Sequence, residues 1–164
     1  MIALRERAAH LAPSLRTAWF AIPLRMIIGY GFMAHGYAKI LRGPEIFAGV
    51  LHALGVPSPG LMAWATIAIE LVCGFAVLVG AFIPLVSIPM AVVLIVAIVT
   101  VHLPYGFSAI KLQSVDAAGA HFGQPGYETG LLYLAGLAAL VLGGSGPYAL
   151  DRLLQPRRDR VNGR

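Results

Sequence analysis

The sequence predicts an all-α integral membrane protein, with four helices packed in one bundle. Its residues are 59% hydrophobic and only 12% charged, whereas soluble domains average about 25% charged residues. Between Glu45 and Lys111 the chain runs for 65 residues with one fully charged side chain, Glu70. Stretches this apolar are typical of membrane-spanning helices rather than of the core of a small soluble domain.

Prolines and glycines bound the four apolar stretches and set the predicted spans. The spans are residues 20–41, 59–80, 84–103 and 128–142, inside a membrane domain of residues 20–150. Only residues 81–83 link the second and third spans, so these two must form an antiparallel hairpin. Lipid offers the backbone no hydrogen-bond partners, and helices are therefore the structure expected for such spans.

Arginines flank both ends of the membrane domain. The segment 1–19 and the tail 151–164 are basic, while the loops on the opposite side carry only Arg42 and Lys111. The positive-inside rule then places both termini in the cytoplasm of a multi-pass inner-membrane protein. The same distribution favours membrane lipids and other protein subunits as partners, and no nucleic acid. The flanking arginines are Arg5, Arg7, Arg16, Arg152, Arg157, Arg158, Arg160 and Arg164.

The connection from Tyr105 to Tyr127 is the longest between two spans. Apolar residues alternate in it with Lys111 and Asp116, and we expect a short interfacial helix over Ser108–Ala120. A long outer loop on a small bundle is a plausible lid or docking surface.

The threading of the four spans brings ionisable side chains together in the outer half of the bundle. His35 and Lys39 lie four residues apart and share one face of the first helix. Glu70 lies near the middle of the second span, where an unpaired carboxylate costs at least a few kcal/mol. The third span adds His102 at its outer end, and the fourth begins with Tyr127 and Glu128.

Three hypotheses account for this cluster. In the first, the groups form structural ion pairs: Glu70 pairs with His35 or Lys39, and Glu128 interacts with the positive end of the fourth helix. In the second, they line a pocket that binds a quinone head group or a small polar molecule. There His35 or His102 donates a hydrogen bond and Glu70 relays a proton.

The second hypothesis makes Glu70, His35 and His102 the candidate catalytic residues. The candidate binding residues are His35, Lys39, Glu70, His102, Tyr127 and Glu128. The third hypothesis is a metal site of His35, His102 and Glu70, but no tight ligand spacing supports it, and no metal is predicted. The single cysteine, Cys73, excludes a dithiol within the chain. In the second hypothesis the electrons must therefore come from a ligand or a partner.

Four segments of the sequence resemble the DoxX family of small bacterial membrane proteins. The resemblance implies a four-helix inner-membrane protein tied to redox or sulfur metabolism. Some members resemble subunits of quinone-linked thiosulfate oxidation, and others partner soluble thiol-redox proteins. The segments are RMIIGYGFMAHGYAK (25–39), LGVP (54–57) with AIELVCG (68–74), VHLPYGF (101–107), and GYE (126–128) with GPYALD (146–151).

We therefore expect a membrane subunit of a redox assembly that binds a quinone or a small reductant in an outer-facing polar pocket. If the subunit is catalytic, it belongs to a quinone-linked oxidoreductase. The alternative is a non-catalytic anchor or assembly subunit of a larger membrane complex. A transporter is disfavoured because no inverted repeat or broken helix is evident.

Overall fold

A computed structural model describes residues 19–154, which are mostly helical. The predicted basic segment before Trp19 and the tail after Leu154 lie outside the described residues. The helices are α1 (Ala21–Arg42), α2 (Pro44–Ala53), α3 (Pro59–Val79), α4 (Ile83–Tyr105), α5 (Glu128–Gly143) and α6 (Leu150–Leu154).

The four predicted spans coincide with α1, α3, α4 and α5, each within a turn of the expected bounds. By length and composition, α3 and α4 are long and apolar enough to cross a membrane, whereas α5 is apolar but has 16 residues. Only 28% and 17% of the most apolar windows of α3 and α4 are buried inside the protein. Many of their remaining apolar side chains are exposed, among them Leu61, Val72, Leu85 and Val92, as is typical of helices that contact lipid.

Helix α1 packs against both α3 and α5, and α4 packs against α5 and the middle of α3. Two glycines bring the backbones of α1 and α3 into contact. A Cβ added at Gly29 would lie 2.7 Å from the carbonyl oxygen of Gly74, and one added at Gly74 would lie 2.9 Å from that of Gly29. Small residues at a helix crossing permit this close approach in membranes.

Arg25 joins three parts of the chain at one end of the molecule, here called the Arg25 end. Its guanidinium donates two hydrogen bonds to the carbonyl of Leu78, at 3.0 and 3.3 Å, and one each to those of Ser145 (2.9 Å) and Pro147 (3.2 Å). Asp151 accepts from the Phe82 amide at 2.8 Å and from the Ser145 hydroxyl at 3.1 Å. These bonds fix the ends of α3 and α5 to the start of α1.

The two longest apolar helices each contain a single π-helical turn. In α3 the turn spans Ile69–Cys73 and includes Glu70, and in α4 it spans Ile98–His102 and ends at His102. Such turns are rare and frequently lie at functional sites. Both coincide with an ionisable residue singled out from the sequence.

The loop between α4 and α5 is a β-hairpin, so the predicted helix over Ser108–Ala120 is wrong. Strand β1 (Leu112–Asp116) pairs antiparallel with β2 (Gly119–Phe122). The turn explains the outcome: Asp116 accepts a hydrogen bond from the amide of Ala118 at 2.8 Å, and Gly119 has a φ of 126°. Side-chain bonds of this kind favour turns over helices.

Helix α2 was not expected from the sequence. It begins with Pro44 and carries Glu45 in its first turn, and both are helix-start signals. The turn at Gly43, with a φ of 100°, lets α2 follow α1 directly.

Candidate functional site

A cavity of about 300 Å³ lies between α1, α3, α4 and α5. Four of the six predicted site residues line it: His35, Lys39, Glu70 and His102. The remaining lining residues are Phe32, Val93, Leu94, Ala97, Ile98, Pro125, Gly126, Thr129, Gly130 and Tyr133. The antiparallel threading inferred from the sequence thus brings side chains that are far apart in the chain to one place.

Glu70 and Lys39 form an ion pair beside this cavity. The Lys39 ammonium lies 2.7 Å from both carboxylate oxygens of Glu70. The side chain of Glu70 is 7% exposed and that of Lys39 is 20% exposed, so the carboxylate is the more deeply buried partner. The pair joins α1 to the π-helical turn of α3, and of the two partners expected for Glu70 it is Lys39 that binds.

Gly36 makes room for this pair. A Cβ at that position would lie 3.0 Å from the Cβ of Glu70 and 3.0 Å from the Cγ of Leu71. A side chain at position 36 would therefore press on the turn that carries the carboxylate.

The ring of His102 is held by the backbone of the loop. Its Nδ1 lies 3.0 Å from the carbonyl oxygen of Pro125. Because a carbonyl only accepts, Nδ1 carries the proton, and Nε2 of the neutral ring is then an acceptor. A neutral His102 can accept a hydrogen bond from a ligand hydroxyl, and it can donate from Nε2 only as an imidazolium.

His35 is the more adaptable of the two histidines. Its side chain is exposed, and within the described part of the chain neither ring nitrogen has a hydrogen-bond partner. It lies one helical turn before Lys39 on the same face of α1. His35 is therefore available to bond a ligand at the cavity mouth.

Tyr133 is a lining residue that the sequence analysis missed. Its ring packs edge-to-face on Phe32, with centroids 5.7 Å apart. Its hydroxyl occupies the space left by the absent side chain of Gly31, where a Cβ would collide with it. The signal for it in the sequence is a hydroxyl-bearing aromatic residue in the middle of an otherwise apolar helix.

The cavity lining combines polar and apolar side chains. Val93, Leu94, Ala97 and Ile98 from α4 form an aliphatic wall, and His102 lies one turn further along the same helix. Ligand sites commonly combine such walls with a few convergent polar groups. The lining suits a ligand with a flat apolar body and one or two polar atoms.

Tyr127 and Glu128 do not line the cavity. The carboxylate of Glu128 accepts a hydrogen bond from the Ala109 amide at 2.9 Å, rather than capping α5. The ring of Tyr127 packs on Phe107 with centroids 5.7 Å apart. Both residues hold the loop that carries Pro125 to the cavity. Among the residues that the structure describes, no group of three His, Cys, Asp or Glu side chains could hold a metal ion.

Comparison with known proteins agrees with the resemblance seen in the sequence. The DoxX family model matches residues 20–103, which run from α1 to the end of the π-helical turn in α4 and include His35, Lys39, Glu70 and His102. The chain belongs to the DoxX family. It is also 29% identical over 140 residues to an uncharacterized membrane protein of Mycobacterium tuberculosis, covering 83% of this chain and 82% of the relative. No solved structure matches this DoxX-family chain.

Proposed function

We propose that this DoxX-family protein is a multi-pass inner-membrane subunit of a redox assembly, and that its cavity binds a quinone head group or a small reductant. The observation that carries the proposal is the composition of the cavity. A buried carboxylate, a lysine, two histidines and an aliphatic wall together line a space of about 300 Å³. That volume lies at the lower end of the range of small-molecule sites.

The membrane arrangement rests on charge and exposure. Helices α3 and α4 carry many exposed apolar side chains, and the arginines concentrate before α1 and after α5. We place all four long helices across the membrane with both termini in the cytoplasm. The end of α1 that carries Lys39 then faces the periplasm, and the cavity opens toward that side.

The lining fits a quinone head group, which is a flat ring with two carbonyl oxygens. Such a ligand would itself exchange the electrons. This is needed because a chain with a single cysteine cannot form a redox-active dithiol. Val93 and Ile98 would contact the ring, while Lys39 or His35 would donate to a carbonyl oxygen. Neutral His102 would accept from a ligand hydroxyl, and Glu70 would hold a proton when Lys39 turns to the ligand.

Quinone binding can be tested on the purified protein. We expect solvent extraction to yield quinone, and a short-chain quinone analogue to bind at micromolar concentration. Glu70→Gln and His102→Gln should each weaken that binding at least ten-fold, because the first removes the carboxylate of the lining and the second its imidazole. His52→Gln is the matched control, since His52 is exposed on α2 away from the cavity lining. Absence of quinone in the extract together with no analogue binding would refute the proposal.

The second candidate is a non-catalytic anchor or assembly subunit. The observation that favours it is the fixed geometry of the Arg25 end, where every bond serves packing. On this view Glu70→Gln lowers stability, yet the activity of a partner enzyme per assembled complex stays unchanged. Loss of turnover in a normally assembled Glu70→Gln complex would exclude the anchor role.

A further inference from the structure

A second cavity, of about 210 Å³, lies between the last two turns of α1 and the first half of α2. Three basic side chains from one face of α1, His35, Lys39 and Arg42, line it. The remaining lining residues are Ala38, Gly43, Ile46, Phe47 and Val50.

The lining itself is basic, and two carboxylates lie next to it: Glu70 binds Lys39, and Glu45 Oε2 would lie 3.4 Å from a Cβ added at Gly43. Of the described residues that line the second cavity, none is acidic. Arg42 is exposed and has no salt-bridge partner within the described part of the chain. A guanidinium beside an apolar floor is the arrangement that proteins use to bind oxyanions through two parallel N–H bonds.

Lys39 belongs to both cavities. Its ammonium contacts the carboxylate of Glu70 in the first cavity and lies 4.9 Å from the ring centroid of Phe47, which lines the second. An anion in the second cavity would therefore compete with Glu70 for the same ammonium. Binding at one site would change the charge balance of the other.

We propose that the second cavity is a binding site for a phosphate-type oxyanion, held by Arg42 and Lys39 with His35 beside them. The site shares His35 and Lys39 with the lining of the first cavity, but the proposal does not rest on quinone binding there. Two sources offer this chemistry: free inorganic anion, and the phosphate of an anionic lipid head group. The apolar side chains Ile46 and Val50, 66% and 46% exposed, give a lipid a surface for its first carbons.

The experiment uses the full chain in phosphatidylcholine nanodiscs. Inorganic phosphate is titrated at constant ionic strength while binding is followed by calorimetry. In parallel, lipid retention from discs with added phosphatidylglycerol is followed by native mass spectrometry. Binding of free phosphate identifies the inorganic source, and retention of phosphatidylglycerol without phosphate binding identifies the head group. Binding of neither overturns the proposal.

Variants test the assignment of residues. Arg42→Gln should weaken the binding of whichever probe binds at least ten-fold, and Arg42→Lys should have an intermediate effect because it keeps charge without the fork. Arg152→Gln, an exposed arginine on α6, should stay within two-fold of the parent chain. Equal losses in Arg42→Gln and Arg152→Gln would show non-specific attraction and overturn the site.

Because Lys39 lines both cavities, we expect one variant to bind the oxyanion more tightly than the parent chain does. Glu70→Gln removes the carboxylate that competes for the Lys39 ammonium, and the anion should then bind about three-fold tighter or more. A merely structural role for the pair would leave anion affinity unchanged or reduced, and that result would overturn the shared role of Lys39. Quinone binding in the same samples reports separately on the first cavity.

Discussion

Arg25 and Lys39 lie near opposite ends of α1, and their charges are held in opposite ways. Arg25 is 6% exposed and gives its hydrogen bonds to three backbone carbonyls, from Leu78, Ser145 and Pro147. Lys39 gives its bonds to one ionised side chain, Glu70, at the edge of a cavity. Backbone carbonyls of packed segments do not titrate and move little, whereas a carboxylate can take a proton and rotate.

The difference separates a structural charge from an exchangeable one. At the Arg25 end the partners fill the space around the guanidinium, and Gly80 is needed to admit it: a Cβ there would lie 2.8 Å from the Cζ of Arg25. At Lys39 there is open volume on two sides. A membrane protein that needs a fixed frame and a responsive site can place them at opposite ends of the same helix.

The largest effect is expected at the fixed end. Arg25→Met should lower the free energy of unfolding by about 3–5 kcal/mol, since each buried carbonyl left without its donor costs about 1–3 kcal/mol. The loss arises because three carbonyls, one at the end of α3 and two in the segment after α5, lose their donor. Unfolding in mixed detergent micelles measures it. A loss below about 1 kcal/mol would mean that water replaces the guanidinium and that this end is not a fixed frame.

Replacing one glycine at each end of the molecule by alanine tests the same contrast, with a smaller expected loss of stability. Gly80→Ala should cost about 2–3 kcal/mol, because position 80 has a φ of 72° and the Cβ meets both Arg25 and Ala149. Gly36→Ala should cost less, since the neighbours it meets at 3.0 Å are side chains of Glu70 and Leu71 that can shift. Its larger effect should be on ligand binding. Equal stability losses would contradict the contrast between the two ends.

The ion pair itself should contribute modestly to stability. Glu70→Gln or Lys39→Met alone should cost about 1–2 kcal/mol, below the usual range for a fully buried pair, because Lys39 can reach water. The double variant Lys39→Met/Glu70→Met should lie within about 1 kcal/mol of the parent, since apolar side chains often replace such pairs without loss.

A double-mutant cycle on the same detergent-unfolding assay checks this. The double variant should also bind no quinone analogue. A double variant that is less stable than both single variants would instead identify a pair kept for folding.

The smallest effect is expected in the β-hairpin. The amide of Ala118, and secondly the bond to His121, hold the pKa of Asp116 below its ordinary value. A carboxyl with a lowered pKa in the folded state stabilises the hairpin above its unfolded pKa of about 3.9, and this is lost as pH falls through the lowered value.

Hydrogen exchange of the hairpin amides, measured between pH 3 and pH 7, tests this prediction. Protection should fall at the acidic end in the parent chain, and Asp116→Asn should show the lower protection throughout. Parent and variant that respond alike to pH would exclude Asp116 as the cause.

The helices and much of the site could be predicted from the sequence, whereas the loops could not. Apolar runs bounded by proline and glycine place α1, α3, α4 and α5, and threading alone brings His35, Glu70 and His102 to one cavity. The sequence predicts that Tyr127 and Glu128 lie at the same depth in the membrane as the other site residues. Depth does not determine which way a side chain points, and Glu128 accepts a hydrogen bond from the loop instead.

The predicted helix over Ser108–Ala120 is wrong because its apolar pattern is weak. The hydrogen bond accepted by Asp116 and the positive φ of Gly119 favour a turn more strongly than that pattern favours a helix. The π-helical turns leave no recognisable mark in composition. Their presence depends on packing between helices, which a single sequence does not display.

Each π-helical turn gives the chain one residue more than a regular helix would hold over the same rise. Deleting a residue within 69–73 would let α3 continue as an ordinary helix, with both halves close to their present orientation. The side chains inside the turn would change direction instead, so the carboxylate of Glu70 would turn away from Lys39 while Gly74 kept its crossing with α1. Length, as much as residue identity, is therefore fixed in these two short windows, and insertions should be tolerated far better in the hairpin.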